Sequence, residues 1–333
     1  MIEVQNLVKK YGNHVAVDHL SFKIEKGQIY GFLGPNGAGK STTMNMMTGY
    51  LGATDGKILI NGHDILKEPQ EAKKCIGYLP ELPPLYMEMT VREYLDFAAE
   101  LKQIKGIEKV SQIQAVMQLA KLEDVENRLI QNLSKGYKQR VGLAQAMLGF
   151  PEIIILDEPT VGLDPKQIIE IRELIRNLAK NHTVILSSHI LAEVREVCDY
   201  IMIIANGRLV ASDAPENLEC RMGGGHICIE ALAGVGFVQE ILKNIPYVKK
   251  VEYQEENGIT RAEIESMDNQ DIRGELFRSF AKADIPLITL SMEKTTLEEI
   301  FLELTQGKNP VELVEITEEK TGESEAETDE SDI

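Results

Sequence analysis

The 333-residue sequence predicts an α/β protein with a mostly parallel sheet, followed by a smaller α+β domain. Three observations support this prediction. Strands and helices alternate over about residues 1–215, as in parallel sheets whose strands are joined by right-handed helical crossovers. A glycine-rich loop joins a predicted strand to a predicted helix early in the chain. After about residue 222 the predicted order becomes βαββαβ, the order of ferredoxin-like domains.

Short apolar segments predict the strands of the first domain. Residues 2–8 and 20–25 alternate apolar and polar side chains, the period of half-buried strands, and indicate an antiparallel β subdomain. The continuous apolar run 153–156 predicts a strand buried on both faces. Helical periodicity predicts a helical subdomain at 90–149, which Thr90 is expected to cap. Further strands are expected at 28–33, 56–61, 76–79, 183–187 and 200–205, a hairpin at Asn206-Gly207, and helices after Pro165 and at 190–197.

The second domain is expected at 222–305, with a flexible joint at Gly223-Gly224-Gly225 near its start. Thr296, with Glu299 three residues later, predicts a capping box at the start of a last helix. The expected strands are 226–231, 247–254, 259–265 and 285–292, and the expected helices are 235–244 and 269–283.

Charge is unevenly distributed along the chain. The formal net charge is −18, and residues 311–333 carry ten acidic side chains against the single basic Lys320. Residues 306–333 are therefore predicted to form a disordered acidic tail. The rest of the chain is mildly acidic, which disfavours nonspecific binding to nucleic acid.

Composition also restricts the compartment. The four cysteines form no CxxC pair and are too scattered for a disulfide framework, which indicates a reducing environment. The N-terminus lacks the apolar segment of a signal peptide, and no run of about 18 apolar residues is present. The sequence predicts a cytosolic protein.

Residues 34–42, Gly34-Pro35-Asn36-Gly37-Ala38-Gly39-Lys40-Ser41-Thr42, match the pattern GxxxxGK[ST] between a predicted strand and a predicted helix. Glycines allow the backbone to turn tightly and direct several N–H groups at one anion, and the helix N-terminus adds positive potential. Lys40 is expected to reach the β- and γ-phosphates, and the Ser41 hydroxyl to bind Mg²⁺. The motif predicts a nucleoside triphosphate site in a P-loop NTPase core, against the alternative of a chance glycine-rich turn.

Two carboxylates, Asp157 and Glu158, follow the apolar run 153–156. The carboxyl ends of parallel strands are where ligands of such sheets bind, which would put these side chains beside the phosphates. We expect Asp157 to hold Mg²⁺, mainly through water, and Glu158 to take a proton from the attacking water. Two surface acids at a strand end are the alternative.

Five further segments occur in a characteristic order. They are Tyr11; Glu81 after Ile76-Gly77-Tyr78-Leu79-Pro80; Leu133-Ser134-Lys135-Gly136-Tyr137; Pro159-Thr160 with Gly162-Leu163-Asp164; and His189. Together these segments resemble the ATP-binding subunits of ABC transporters over about residues 1–215. Residues 133–137 resemble the signature LSGGQ of that family, and residues 159–164 resemble its D-loop. A signature beside both phosphate motifs is highly specific.

The resemblance implies a role for each segment. Tyr11 is expected to stack on adenine, and His189 to hydrogen-bond the γ-phosphate and help hold the attacking water. Ser134 and the Gly136 backbone N–H are expected to contact the γ-phosphate of an ATP bound by a second subunit, since such sites form between two subunits packed head to tail. Glu81 occupies the position of the Q-loop glutamine, close to Mg²⁺. ATP and Mg²⁺ are the expected cofactors.

The sequence departs from the family pattern at three of these positions. Lys135 and Tyr137 stand where the signature has glycine and glutamine, while Ser134 and Gly136 are kept. Glu81 replaces a neutral amide with a carboxylate and adds negative charge near the phosphates. The phosphate-contacting atoms of the signature are retained, but the surface around them is altered.

The resemblance also implies the partners. One phosphate loop and one signature predict a homodimer or a pairing with a close paralogue, and a separate integral-membrane permease would carry the substrate. The predicted function is an ATP-hydrolysing exporter subunit on the inner face of the cell membrane.

The apolar loop 82–89 either docks the permease or packs in the core. The C-terminal domain is expected to assist dimerisation or regulation. The alternatives are a soluble ABC-type ATPase with a mechanical or regulatory role, and a binding-only subunit.

Overall fold

The computed structural model describes residues 1–222, 226–267, 270–293 and 296–306. The predicted glycine joint at 223–225 and the acidic tail beyond residue 306 lie outside these ranges. Within them the chain forms three sheets. No helix in these ranges has the length and apolarity needed to cross a bilayer.

Strands and helices are numbered in chain order. The strands are β1 Ile2–Tyr11, β2 His14–Ile24, β3 Ile29–Leu33, β4 Asp55–Ile60, β5 His63–Asp64, β6 Ile76–Leu79, β7 Ile153–Leu156, β8 Thr183–Ser188, β9 Tyr200–Ala205, β10 Arg208–Asp213, β11 His226–Ala231, β12 Val248–Glu256, β13 Ile259–Ser266 and β14 Leu287–Glu293. The helices are α1 Lys40–Met47, α2 Pro69–Lys74, α3 Val91–Leu101, α4 Gly106–Leu119, α5 Lys135–Met147, α6 Pro165–Leu178, α7 Leu191–Val197, α8 Pro215–Met222, α9 Val235–Leu242, α10 Arg273–Lys282 and α11 Leu297–Gln306.

The central sheet has the strand order β10-β9-β3-β8-β7-β6. All neighbouring pairs are parallel except β10 with β9, which form the predicted hairpin. Alternate residues of β7 enter different cores: Ile153 and Ile155 face one, and Ile154 and Leu156 face the other. The predictions of a mostly parallel sheet and of a strand buried on both faces are confirmed.

The two faces of the central sheet are covered differently. On one face, α1 and the antiparallel sheet β2-β1-β4-β5 enclose a core that includes Phe32 and Met44. On the other face, α3, α4 and α5 pack with α6 and α7 around Leu33 and Val184. Thr90 caps α3 through a capping box with Glu93, as its position predicts. The antiparallel and helical subdomains therefore lie on opposite faces of the sheet that holds the glycine-rich loop.

The C-terminal sheet has the order β12-β13-β11-β14, with every pair antiparallel. Helices α9 and α10 cover one face of it and bury Val238, Leu276 and Phe280 against Ile229 and Ile264. This is the strand order of the ferredoxin-like fold, in which the first and third strands of the βαββαβ unit are neighbours. The predicted α+β architecture is confirmed.

The last helix, α11, packs elsewhere than expected. The sequence pattern assigned it to the domain 222–305, but Leu297 and Ile300 are buried in the core of the first domain, near Leu218 of α8 and Ile203 of β9. The assignment is corrected because the apolar side of α11 finds its partners in α8 and β9. The capping box is present: Thr296 N donates to Glu299 Oε2 at 2.9 Å, and Glu299 N to Thr296 Oγ1 at 3.3 Å.

Helix α5 lies directly on β6, and this contact yields a prediction. A Cβ on Gly77 would lie 2.2 Å from the backbone oxygen of Ala146, an atom that no rotamer change can move. We expect Gly77→Ala to lower the free energy of unfolding by about 1–3 kcal/mol, the usual cost of overpacking. Urea denaturation followed by circular dichroism measures it.

Gly52→Ala is the matched control, because a Cβ on Gly52 would meet nothing within 4 Å. Equal stabilities of the two variants would contradict the close packing of α5 on β6.

Candidate functional site

The glycine-rich loop, residues 34–39, connects the buried strand β3 to α1 in the middle of the central sheet. Two glycines are required by its geometry. A Cβ on Gly34 would lie 2.3 Å from Ile204 O, and Gly39 has a φ of 104° with Ala16 O 2.6 Å from a Cβ. Because these positions carry no side chain, the loop can curve tightly over the N-terminus of α1, where free N–H groups attract anions.

The Lys40 side chain folds back over this loop. Its Nζ donates to Gly34 O at 2.7 Å and lies 3.3 Å from Pro35 O and 3.8 Å from Glu158 Oε1. Burial lowers the pKa of the Lys40 ammonium, and the nearby carboxylates of Glu158 and Asp157 oppose that shift. The ammonium is thus held at the mouth of the loop by carbonyl oxygens, with which a phosphate would compete.

Asp157 lies directly after β7 and is buried between two hydroxyls. Its Oδ1 accepts hydrogen bonds from Ser187 Oγ at 2.6 Å and from Ser41 Oγ at 3.2 Å. Ser187 lies near the end of β8, the strand between β7 and β3. One carboxylate oxygen therefore links the phosphate loop to two strands of the sheet.

Glu158 adopts a left-handed backbone conformation, with a φ of 48°. Its N–H donates to Ser187 Oγ at 2.9 Å, and its Oε2 lies 3.0 Å from His189 Nδ1. A left-handed non-glycine residue costs about 1–3 kcal/mol, and such strain clusters at functional sites. The conformation directs the Glu158 carboxylate between Lys40 and His189.

A cavity of about 550 Å³ lies over this loop. Most of the residues expected to bind nucleotide or metal, or to act in catalysis, line it or lie directly beneath it. Those on its wall are Tyr11, Asn36, Gly37, Gly39, Lys40, Ser41, Thr42, Glu81, Glu158 and His189. Gly34, Pro35 and Ala38 belong to the loop, and Asp157 lies behind Ser41.

Tyr11 is the last residue of β1 and lies on the wall of this cavity. Its ring is half exposed, and Lys9 Nζ lies 5.3 Å from the ring centroid. The ring is therefore not part of the buried core. It presents a face on which a flat group can stack.

The structure does not bring the signature residues to this cavity. Ser134 is exposed and caps α5 by accepting a hydrogen bond from Tyr137 N, and neither Ser134 nor Gly136 is on the cavity wall. Gly136 packs instead against α6: a Cβ there would lie 2.6 Å from Gln167 Cδ. Within one chain, the signature residues therefore lie apart from the wall of the cavity over the phosphate loop.

Sequence reasoning missed several residues of the site. Ser187 joins Asp157 to the Glu158 backbone, and His14, Ala16 and Val161 line the cavity. Ser187 had a usable signal, because it precedes His189 by two residues at the end of a buried strand. His14 and Ala16 had none, since they enter the site through the hairpin between β1 and β2.

The fold and the site define a P-loop nucleoside triphosphatase, with its phosphate loop, carboxylate pair and histidine at one edge of a parallel sheet. A family model described as ABC transporter matches residues 17–161. The chain is 36% identical over 310 residues to the bacitracin transport ATP-binding protein BcrA of Bacillus licheniformis, covering 92% of this chain and 98% of that protein. It is 32% identical over 307 residues to the linearmycin resistance ATP-binding protein LnrL of Bacillus subtilis (strain 168), covering 92% and 98%.

Solved structures agree with these relatives. An ATP-binding subunit of an ABC transporter is similar with a TM-score of 0.61 and 31% identity, over 67% of this chain and 93% of that one. The dimeric ATP-binding cassette MJ0796, in a post-hydrolysis state bound to ADP and Pi, is similar with a TM-score of 0.59 and 25% identity, over 64% and 98%. The chain belongs to the ATP-binding proteins of ABC transporters, and it is an ATPase subunit.

The Ser187 hydroxyl yields a prediction for this site. We expect Ser187→Ala to lower kcat for ATP hydrolysis by about 10- to 100-fold, since small misplacements of reacting groups cost up to that much. The substitution also leaves the Glu158 N–H without its partner, which should reduce the free energy of unfolding by about 1–3 kcal/mol. Steady-state phosphate release and urea denaturation measure the two effects.

Ser111→Ala is the control, because its exposed hydroxyl donates only to Glu108 O within α4. A Ser187→Ala variant with unchanged kcat would contradict a supporting role for this hydroxyl.

Proposed function

We propose that two copies of this chain, or one copy and a close paralogue, clamp two ATP molecules and drive export through a separate membrane permease. One observation supports the pairing: Ser134 is exposed and is not on the wall of the cavity over the phosphate loop of the same chain. A γ-phosphate bound by Lys40 would therefore meet Ser134 only from a second chain. Twofold symmetry makes both sites equivalent.

Within each site, the residues have distinct proposed roles. The loop N–H groups of residues 34–42 and Lys40 bind the phosphates, and Tyr11 stacks on adenine. Glu158 takes the proton from water that attacks the γ-phosphate. His189 contacts Glu158 through Nδ1, which leaves Nε2 to hydrogen-bond the γ-phosphate.

The donor set beside the loop fits Mg²⁺. Ser41 Oγ and Asp157 Oδ1 lie 3.2 Å apart, and Glu81 is on the same cavity wall. Hydroxyl and carboxylate oxygens are the ligands that Mg²⁺ prefers, and it usually keeps several waters. We therefore assign Ser41 as a direct ligand, with Asp157 and Glu81 acting through water. When bound, the ion neutralises charge on the β- and γ-phosphate oxygens.

The loop 82–89 is the proposed contact for the permease. Leu82 is 77% exposed and Tyr86 is 52% exposed, whereas Leu85 and Met89 pack against the core. The inner side chains of the loop thus anchor it to the core, and its outer ones are exposed next to Glu81. An apolar surface beside the nucleotide site suits a mechanical link to a membrane protein. This contact would hold the chain on the inner face of the cell membrane.

Export is the direction we infer from the relatives. BcrA is named for bacitracin transport and LnrL for linearmycin resistance, and each matches over nearly its full length. This length includes the C-terminal domain, which therefore belongs with the proposed exporter subunits and assists dimerisation or regulation.

The general base is tested by Glu158→Gln. We expect kcat to fall by roughly 10²–10⁴, the usual contribution of a positioned base, while ATP-induced pairing persists. Phosphate release and analytical ultracentrifugation measure the two quantities. Glu152→Gln is the matched control, because Glu152 is exposed just before β7 begins, at the opposite end of the same strand. Near-normal hydrolysis by Glu158→Gln would refute the assignment.

The shared site is tested by complementation. We expect Lys40→Ala to weaken ATP binding to the single chain, and Ser134→Ala to leave that binding intact while abolishing most hydrolysis. A mixture of the two variants forms mixed pairs in which one site has both Lys40 and Ser134, so phosphate release should recover. Failure of the mixture to regain activity would contradict a site shared between chains.

A further inference from the structure

One buried carboxylate close to the site has no part in the proposed roles. Glu193 lies in the first turn of α7 and is only 7% exposed. Its Oε2 accepts a hydrogen bond from Thr160 Oγ1 and a second, at 3.3 Å, from Ser188 Oγ. Both of these hydroxyl residues are also buried. One carboxylate oxygen therefore joins the segment that follows β7 to the end of β8.

The bond from Thr160 acts on the segment that carries the proposed general base. Thr160 follows Glu158 by two residues, and Val161 N donates to Glu158 O at 3.2 Å, which closes a tight turn. Leu163 N in turn donates to Thr160 O at 3.2 Å. A turn that is fixed at Thr160 supports the left-handed backbone of Glu158, a conformation that persists only where its surroundings hold it.

The bond from Ser188 acts on the segment that carries the histidine. Ser188 Oγ accepts a hydrogen bond from Ile190 N at 3.0 Å and donates its own proton to Glu193. His189 lies between Ser188 and Ile190, and its Nδ1 is 3.0 Å from Glu158 Oε2. The position of the His189 ring relative to the Glu158 carboxylate thus depends on both bonds to Glu193.

Helix α7 gives Glu193 a fixed support. Leu191, Val194 and Val197 of this helix are buried in the core of the first domain. A Cβ on Gly31 of β3 would lie 2.3 Å from Val194 Cγ1, so the helix and the strand are in direct contact. Glu193 is therefore held relative to the central sheet, and not only relative to the two segments that it joins.

We propose that Glu193 is a positioning residue for ATP hydrolysis, which holds Glu158 and His189 in place through Thr160 and Ser188. Glu193 is not on the wall of the nucleotide cavity, so it acts through these neighbours. The inference rests on the proposed roles of Glu158 and His189. A misplaced base slows the chemical step but leaves ATP binding to the phosphate loop intact. Loss of Glu193 should therefore lower kcat far more than it changes KM.

A purely structural role is the alternative. A carboxylate in the first turn of a helix stabilises that helix, and burial of a carboxylate costs free energy that its hydrogen bonds must offset. Such a role would change the free energy of unfolding without a specific loss of kcat. The two roles therefore differ in what they predict for catalysis by the folded chain.

The test compares Glu193→Met with Glu193→Gln in the full-length chain. Methionine has a similar length but only a weakly accepting sulfur. With it we expect kcat to fall by about 10- to 100-fold, the cost of a small misplacement of a reacting group, and KM to change by less than about twofold. Glutamine keeps an oxygen that can accept from both hydroxyls, so its kcat should stay within about threefold of the parent. Phosphate release at varied ATP concentration measures both parameters.

Glu173→Met is the matched control, because Glu173 is an exposed carboxylate on α6 whose ion pair with Lys121 spans 4.0 Å. Its kcat should equal that of the parent. Urea denaturation followed by circular dichroism shows whether each variant is folded. Thr160→Val removes one hydroxyl at nearly the same volume and should lower kcat in the same direction, so it tests the inference even if Glu193→Met does not fold.

A double substitution tests whether Glu193 acts through the base. In a chain that already carries Glu158→Gln, we expect Glu193→Met to lower the residual rate by a much smaller factor than in the parent. The reason is that the group it positions is already lost, and substitutions that act through one another are not additive.

The outcomes distinguish this inference from the proposed function. Parental kcat in folded Glu193→Met, or in Thr160→Val, would overturn the inference. Equal losses in Glu193→Met and Glu193→Gln would do the same, because glutamine retains the acceptor. So would an undiminished effect in the Glu158→Gln chain. If Glu158→Gln alone hydrolyses ATP at nearly the parental rate, the proposed assignment of the base fails instead.

Discussion

The site exists because β3, β8, β7 and β6 run parallel to one another. Parallel strands end at one edge of a sheet, with neighbouring strands about 4.8 Å apart. That edge receives the phosphate loop from β3, His189 from β8, the Asp157-Glu158 pair from β7 and Glu81 from β6. The strand order of the sheet thus brings these groups to one edge, where ligands of such sheets bind.

Hydrogen bonds then fix the positions of these side chains relative to one another. Ser187 is fully buried and joins the Asp157 carboxylate to the Glu158 backbone, while Ser41 brings the loop to the same carboxylate oxygen. A buried hydrogen-bond network rigidifies the structure only when all of its polar groups are paired, so each of these bonds helps to fix the positions of the other groups. The left-handed conformation of Glu158 persists inside this network, which supplies the support that a strained backbone needs.

Much of this arrangement was predictable, because its signals are local. The loop 34–42, the apolar strand 153–156 and the capping residues Thr90 and Thr296 each depend on a few adjacent residues. The ferredoxin-like strand order also followed from element order. The contributions of His14 and Ala16 and the packing of α11 were not predictable, since they arise where distant segments meet. The sequence of a capped amphipathic helix predicts that its apolar side packs against another part of the protein. It does not show which domain provides that surface.

The packing of α11 has a consequence for how the chain can be divided. The polypeptide leaves the first domain through α8, builds the C-terminal domain, and returns so that Leu297 and Ile300 lie near Leu218. A fragment that stops near residue 215 would leave Ile203 and its neighbours partly uncovered, and would be expected to self-associate. The C-terminal domain is thus an insertion between α8 and α11, two helices that pack on the first domain.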